Sequence, residues 1–337
     1  SGGYDTYISY KKLFSFHLPA ISAEGQTVLR FMVPIFKDAA PFARRRVQER
    51  GFLFAMECGI ICRRLWKGGG VMAKELAGRL YLSGMDGQAA ALARRWGAGY
   101  EITAFCYAPM LDTPETARQV RRDMESVDRF WFHAPFAELT PCAIDPLVRQ
   151  VAEKRLLQAA GQAADLGVTR MVCHGGFIPH VYYPEWYVEQ SVLFWRALLD
   201  KLPENMTVAL ENVMEPSPET LVQIASGVDD PRLGLCLDVG HANTCVSDTP
   251  PLEWITPMSP WLRHVHLHSN VGDTDLHQPL GEGSIPMEAV LDAVLREAPE
   301  ATFTIENQDC LPSLVWLAER GYIDGIRLQK NAAVEHR

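Results

Sequence analysis

The sequence predicts an α/β protein: a closed, TIM-type (β/α)8 barrel preceded by an atypical N-terminal extension. Three observations point there. From Arg79 onward, eight short apolar runs alternate with longer amphipathic ones, as β-α units wound around a parallel sheet do. The patterned stretch is roughly 265 residues long, against a usual barrel size of about 250. Six of the eight runs end in His, Asp or Glu directly after apolar residues. A chain of 337 residues that is 47% hydrophobic fills such a core, and little remains for a second large domain.

Taken in order, the predicted strands are 80–83, 100–105, 129–133, 170–174, 207–211, 234–238, 264–268 and 302–306. Helices are predicted at 87–96, 114–126, 146–166, 184–202, 218–225, 286–298 and 312–320. Several open on proline, among them Pro114, Pro146, Pro184 and Pro218, where the missing N–H costs nothing. Asp112, Ser217 and Ser284 are the expected caps. An open, doubly wound sheet would need a phosphate-cradling glycine turn after its first strand. Ser83-Gly84-Met85-Asp86-Gly87 lacks that spacing.

Residues 1–71 do not share the pattern. They hold 11 Lys+Arg against 5 Asp+Glu, whereas residues 72–337 hold 21 against 36. The segment has no sustained period, and Lys67-Gly68-Gly69-Gly70 precedes the patterned region. It reads as a loosely packed basic extension or as upstream sequence translated from too early a start, with a basic targeting segment as the rival. Ser1-Gly2-Gly3 has the look of an engineered remnant.

A net charge of −9 argues against a general polyanion-binding surface. Eight cysteines without close repeated spacing predict reduced thiols and a cytoplasmic protein. Cys58 and Cys62 lack a second pair or a nearby histidine. No run of eighteen apolar residues suggests a membrane span.

The run-ending residues are His133, His174, Glu211, Asp238, His266 or His268, and Glu306. A barrel gathers the C-terminal ends of its strands at one mouth. Three carboxylates buried together there require cations, and carboxylate with imidazole suits zinc, manganese or iron. The loops add His241, three residues past Asp238, and the pair Asp275 and His277, whose spacing points both side chains one way in an extended segment. Leu280-Gly281-Glu282-Gly283 follows as a turn able to fold that loop back.

Phe132-His133-Ala134-Pro135, Cys173-His174-Gly175-Gly176, Leu210-Glu211-Asn212, Leu237-Asp238-Val239-Gly240-His241, Val265-His266-Leu267-His268-Ser269-Asn270, Asp275-Leu276-His277 and Thr304-Ile305-Glu306 occur in this order. With them the chain resembles the xylose-isomerase-like barrel superfamily, in its AP endonuclease family 2 (endonuclease IV-like) branch, over roughly residues 79–327. The resemblance implies two or three Zn2+ ions, with Mn2+ as the other fitting ion. His133, His174 and Glu211 match one ion, and Glu211, Asp238, His266 and Glu306 a second. His241, Asp275 and His277 match the third. The implied reaction is phosphodiester hydrolysis by water activated between metals, without a protein general base, and Glu211, Asp238, His266 and Glu306 are its catalytic core. Isomerase and epimerase members resemble only the four residues around one ion, with the two glutamates moving protons.

DNA repair is that branch's default, yet the acidic barrel lacks a basic patch, and the loop 106–112 has no basic side chain. Arg118, Arg121 and Arg122 read as surface charge. The loop 177–187 instead concentrates rings, so His180, Tyr182, Tyr183 and Trp186, with His268, are candidate contacts to substrate. The rings' rival role is to pack the loop on the rim. The expected partner is a small nucleotide-like or cofactor-derived phosphodiester, or a sugar-like substrate; duplex DNA is disfavoured by charge.

Overall fold

The structure is a computed structural model that describes residues 76, 78–125 and 127–324. The segment 1–71, with Cys58 and Cys62, lies outside the described residues. Eight parallel strands close into a barrel in sequence order: β1 Leu80–Ser83, β2 Gly99–Ile102, β3 Phe130–His133, β4 Arg170–His174, β5 Thr207–Glu211, β6 Leu233–Asp238, β7 Leu262–Leu267 and β8 Thr302–Ile305. One helix follows each: α1 Ala89–Trp96, α2 Pro114–Met124, α3 Pro146–Asp165, α4 Pro184–Leu199, α5 Pro218–Val228, α6 Pro251–Met258, α7 Met287–Glu297 and α8 Leu311–Glu319.

Alternation along each strand sends successive side chains to opposite faces. The outward set, including Leu82, Phe132, Cys173, Leu210, Leu237 and Val265, joins the buried helix faces in one large core, with Trp195 and Trp254 fully enclosed. Inside the barrel, Tyr81, Trp131, Val172, Ala209 and Cys236 form a separate apolar cluster. Arg170, at the first residue of β4, places its guanidinium over Tyr81 and Trp131 at 5.4 and 5.1 Å.

Helix α6 is not among the predicted helices; Pro250 stands at its cap and Pro251 and Pro257 within it. Its helical pattern is carried by Trp254, Ile255 and Met258, which are buried, while Pro251 sits in the first turn. The expected caps also differ. Asp112 pairs with Arg155 and Gln158, and Ser284 hydrogen-bonds Asn243. Ser217 occupies the cap position of α5 without a side-chain bond. Asp145 caps α3 by accepting from the Leu147 N–H at 2.8 Å, a bond worth about 1 kcal/mol. Among the described cysteines, Cys106, Cys142, Cys173, Cys236, Cys245 and Cys310 are free thiols. No helix among the described residues is long and apolar enough to cross a membrane.

Candidate metal centre

Strand register carries the chemistry to one rim. His174 lies beside Glu211 across β4 and β5, and Asp238 beside His266 across β6 and β7. Glu306 directly follows β8. Glu211, Asp238, His266 and Glu306 bring donor atoms within 4.8 Å of one another, as do His133, His174 and Glu211. These side chains form a metal-binding His/Asp/Glu cluster at the barrel mouth.

Glu211 stands at its middle. Its Oε2 is 3.4 Å from His133 Nε2 and 3.2 Å from His174 Nε2. Its Oε1 is 3.3 Å from Nδ1 of both His241 and His266. Both carboxylate oxygens are buried without a hydrogen-bond partner, and so are His174 Nε2 and His266 Nδ1. Buried polar atoms rarely stay unpaired, and two unpaired lone-pair atoms facing each other repel unless a proton or a cation lies between. The donor types suit a divalent ion, so the residues fit the metals the sequence implies.

The imidazoles are aimed from behind. His133, His241 and His277 each put Nδ1 against a main-chain carbonyl, of Ala134, Asn212 and Glu306, at 2.9, 2.9 and 2.8 Å. That tether leaves Nε2 for the mouth. His241 Nε2 and His277 Nε2 both face Asp275 Oδ2, at 3.3 and 2.9 Å. Asn307 holds this loop by donating to the carbonyls of His277 and Gln278, and Ser269 and Gln278 exchange main-chain hydrogen bonds across it. His268 is buried, places Nε2 3.0 Å from both Asp238 oxygens, and stacks on His277. It braces Asp238, and its unpartnered Nδ1 lies with His277 and Glu306 in a further group of donors that could hold an ion. Gly240 is tied to the same arrangement: its φ of −71° suits any residue, but a Cβ there would fall 1.9 Å from the His268 ring.

The loop 177–187 divides. Tyr182 is buried and packs with Trp186 and Tyr187, so these rings hold the loop to the rim. Tyr183 is 80% exposed and His180 is exposed at a φ of 63°. Phe136, which the sequence did not single out, stacks on His174 at 4.4 Å. Glu101 and His264 were missed as well; both are fully buried beneath the mouth.

Charge follows this geometry. Burial alone raises the Glu211 carboxyl, yet His266 and His174 beside it hold it well below the usual range. Burial likewise opposes, and His241 and His268 outweigh it, at Asp238. Burial lowers His277, but the Asp275 hydrogen bond and the Glu306 charge raise it to about 9. Asp275 is depressed, with His241 and His277 overcoming its burial. In the ion-free protein the His277 contribution is complete below about pH 6.5 and lost as pH rises to about 9. The Asp275 contribution is present above its ordinary value and lost in acid. The melting temperature of the chelated protein is accordingly expected to fall from pH 6.5 to 9. Ion affinity should rise over the same interval, because ligating imidazoles must be neutral. Calorimetry at fixed ionic strength checks both, and a melting temperature that rises over this interval contradicts the pairing.

Around the cluster, the rim loops carry no lysine or arginine of their own, although Arg155 of α3 reaches Asp112 in one of them. The eight segments joining each strand to its helix, 84–88, 103–113, 134–145, 175–183, 212–217, 239–250, 268–286 and 306–310, contain no lysine or arginine. They expose Met85, Tyr107, Ile144, Ile178, Val181, Tyr183, Val271 and Leu276.

The chain matches the family model described as Xylose isomerase-like TIM barrel over residues 91–331. "Uncharacterized protein MJ1311" of Methanocaldococcus jannaschii is 28% identical over 207 residues, 57% of this chain and 70% of that protein. "Probable endonuclease 4" of Mycobacterium leprae is 26% identical over 175 residues, 49% of this chain and 68% of the relative. Among solved structures, the TTHB071 protein from Thermus thermophilus, soaked with ZnCl2, is 27% identical with a TM-score of 0.59, over 72% of this chain and 97% of that one. A D-tagatose 3-epimerase-like protein is 24% identical with a TM-score of 0.61, over 72% and 95%, and shares the fold.

Proposed function

The chain belongs to the xylose isomerase-like TIM barrel family, and from that premise we propose that it is a metal-dependent hydrolase of a small phosphodiester. The observation that carries this reading is Glu211. One oxygen faces Nε2 of His133 and His174 and the other faces Nδ1 of His266, and neither has a hydrogen-bond partner, so the residue would be placed to serve a different ion with each oxygen. Zn2+ or Mn2+ held by His133, His174, Glu211, Asp238, His266 and Glu306 would supply Lewis acidity and acidify water. His241, Asp275 and His277 would hold a further ion. The chain's own residues set the ligands: main-chain carbonyls present Nε2 of His133, His241 and His277 to the mouth, His268 and Asn212 hold Asp238, and Asn307 fixes the outer loop.

The absence of lysine and arginine from the rim loops supports a small substrate with little charge beyond the reacting phosphate. Duplex binding needs clustered lysine and arginine to meet successive phosphates, and these loops offer acids and apolar groups instead. The name of the mycobacterial relative is therefore carried over here as phosphoester chemistry rather than as DNA repair.

A second reading, sugar or sugar-phosphate isomerisation or epimerisation around one ion, has its own support. Glu211, Asp238, His266 and Glu306 form a complete four-donor set by themselves, and the comparisons lean this way, since epimerase is what the D-tagatose 3-epimerase-like structure is named for. Two measurements separate the readings. Metal analysis of the purified full chain is expected to find more than one equivalent of zinc or manganese, and a single equivalent favours the isomerase. His241→Ala and His277→Ala are expected to slow cleavage of bis(p-nitrophenyl) phosphate about 10–100-fold, the cost typical of disturbing a metal's supporting residues, while sparing the four-donor ion. Wild-type epimerisation of a ketose without diester cleavage would reverse the assignment.

A further inference from the structure

His266 is held differently from its neighbours. Where His133, His241 and His277 lean on main-chain carbonyls, the Nε2 of His266 lies 3.1 Å from Oε1 of Glu101, a carboxylate. Glu101 is on β2 and His266 on β7, strands that are not neighbours in the closed barrel. Their bond therefore crosses the interior. Its path passes just beneath the mouth, where both residues are fully buried.

Glu101 is itself fully engaged. Its Oε2 accepts from the Thr304 hydroxyl and lies 3.1 Å from His264 Nε2, which is also 2.8 Å from that hydroxyl. His264 Nδ1 lies 2.6 Å from the Thr302 hydroxyl, which accepts from the Trp131 indole N–H at 3.0 Å. The ring of His264 also stacks on Trp131 at 4.3 Å. One hydrogen-bond assignment satisfies this column. The carboxylate accepts from both imidazole Nε2–H groups and from Thr304, and His264 Nδ1 accepts from Thr302. That assignment leaves Nδ1 of His266 as a bare lone pair, 3.3, 3.6 and 3.3 Å from oxygens of Glu211, Asp238 and Glu306.

We propose that Glu101 is a positioning residue for the ion at Glu211, Asp238, His266 and Glu306: by accepting the Nε2–H of His266 across the barrel, it fixes the tautomer that turns Nδ1 to the metal. Glu101 does not ligate that ion, because it bonds the edge of the ring that faces away from the other three donors and its second oxygen is already shared. The inference rests on the metal-centre reading but holds for either reaction. Carboxylate–histidine–metal arrangements raise ligand basicity as well as fixing the ring, so the charge of Glu101 and its geometry are separable.

The test compares wild type, Glu101→Gln and Glu101→Leu as the full chain. Apoprotein is titrated with Zn2+ against a competing chelator, and 15N-histidine spectra report the tautomer of each ring. Gln keeps an acceptor for His266 without the charge, with His264 switching tautomer to accept from the amide; Leu removes both. Glu101→Leu is expected to weaken one class of ion about 10–100-fold, leave the ions at the other donors in place, and lose the Nε2–H signature of His266. Glu101→Gln is expected to keep the signature with a smaller affinity loss. Equal affinity and an unchanged His266 tautomer in both variants would overturn the proposal, as would an equal loss at every ion, which marks a merely structural carboxylate. Should Glu101→Leu fail to fold, the Gln variant and Thr304→Val, which removes one brace of Glu101, carry the same comparison. A wild-type chain that takes up no ion overturns the metal-centre reading and this inference together.

Discussion

Glu211→Gln is expected to abolish turnover and to weaken two ions at once, each by more than the roughly 10–100-fold that loss of a supporting residue costs. The reason lies in its two faces. One oxygen meets His133 and His174, and the other meets His241 and His266. An amide offers one oxygen, and its NH2 presents protons to the remaining pair of imidazoles. The variant should nevertheless fold, since it removes one charge from a cluster of buried acids that also holds Asp238 and Glu306. Metal content by mass spectrometry and cleavage of a chromogenic diester are the readouts. A variant that retains both ions removes Glu211 from the bridging position. A variant that loses only one ion and retains activity removes the hydrolase argument with it.

Chelation should lower the melting temperature by roughly 10 °C. An ion at about 1,000 times its dissociation constant stabilises a folded chain by about 4 kcal/mol, and in domains of this size each kcal/mol moves the midpoint by about 2–4 °C. The ion-free barrel should remain folded, because protonated imidazoles then partner the acids: His241 is raised well above the ordinary value, Asp238, Asp275 and Glu211 outweighing its burial, and His277 is raised to about 9 by Asp275 and Glu306. Partial substitution of cation by proton makes the loss pH-dependent, largest on the alkaline side where the histidines are neutral. Scanning calorimetry of chelated and reloaded protein at pH 6 and pH 9 reads both effects. A midpoint indifferent to chelation at either pH would mean that no ion is bound to the native state.

Much of this centre was legible in sequence for a specific reason. His133, His174, Glu211, Asp238 and Glu306 each break an apolar run at its end, and the end of a parallel barrel strand is where a buried polar group meets others of its kind. Glu101 was not legible. It stands between Tyr100 and Ile102 inside a short strand, with nothing local to separate a barrel-lining carboxylate from a solvated one, and its partners are more than 160 residues away. Position on the loop was equally uninformative for the aromatic segment. Tyr182, Tyr183 and Trp186 are close in sequence, yet Tyr182 is buried and Tyr183 exposed. The helix α6 was hidden by prolines whose cost its buried Trp254 face outweighs.

The sequence by itself determined the barrel, the order of its strands and the kinds of side chain at its rim, because hydrophobic periodicity and strand length are local properties. Only the tertiary structure decided which nitrogen of each histidine faces the mouth, that the two oxygens of Glu211 face different imidazoles, and that a carboxylate from β2 reaches His266 on β7. Those depend on closure of the sheet, which brings residues far apart in the chain within hydrogen-bonding distance and leaves their charges no water to turn to.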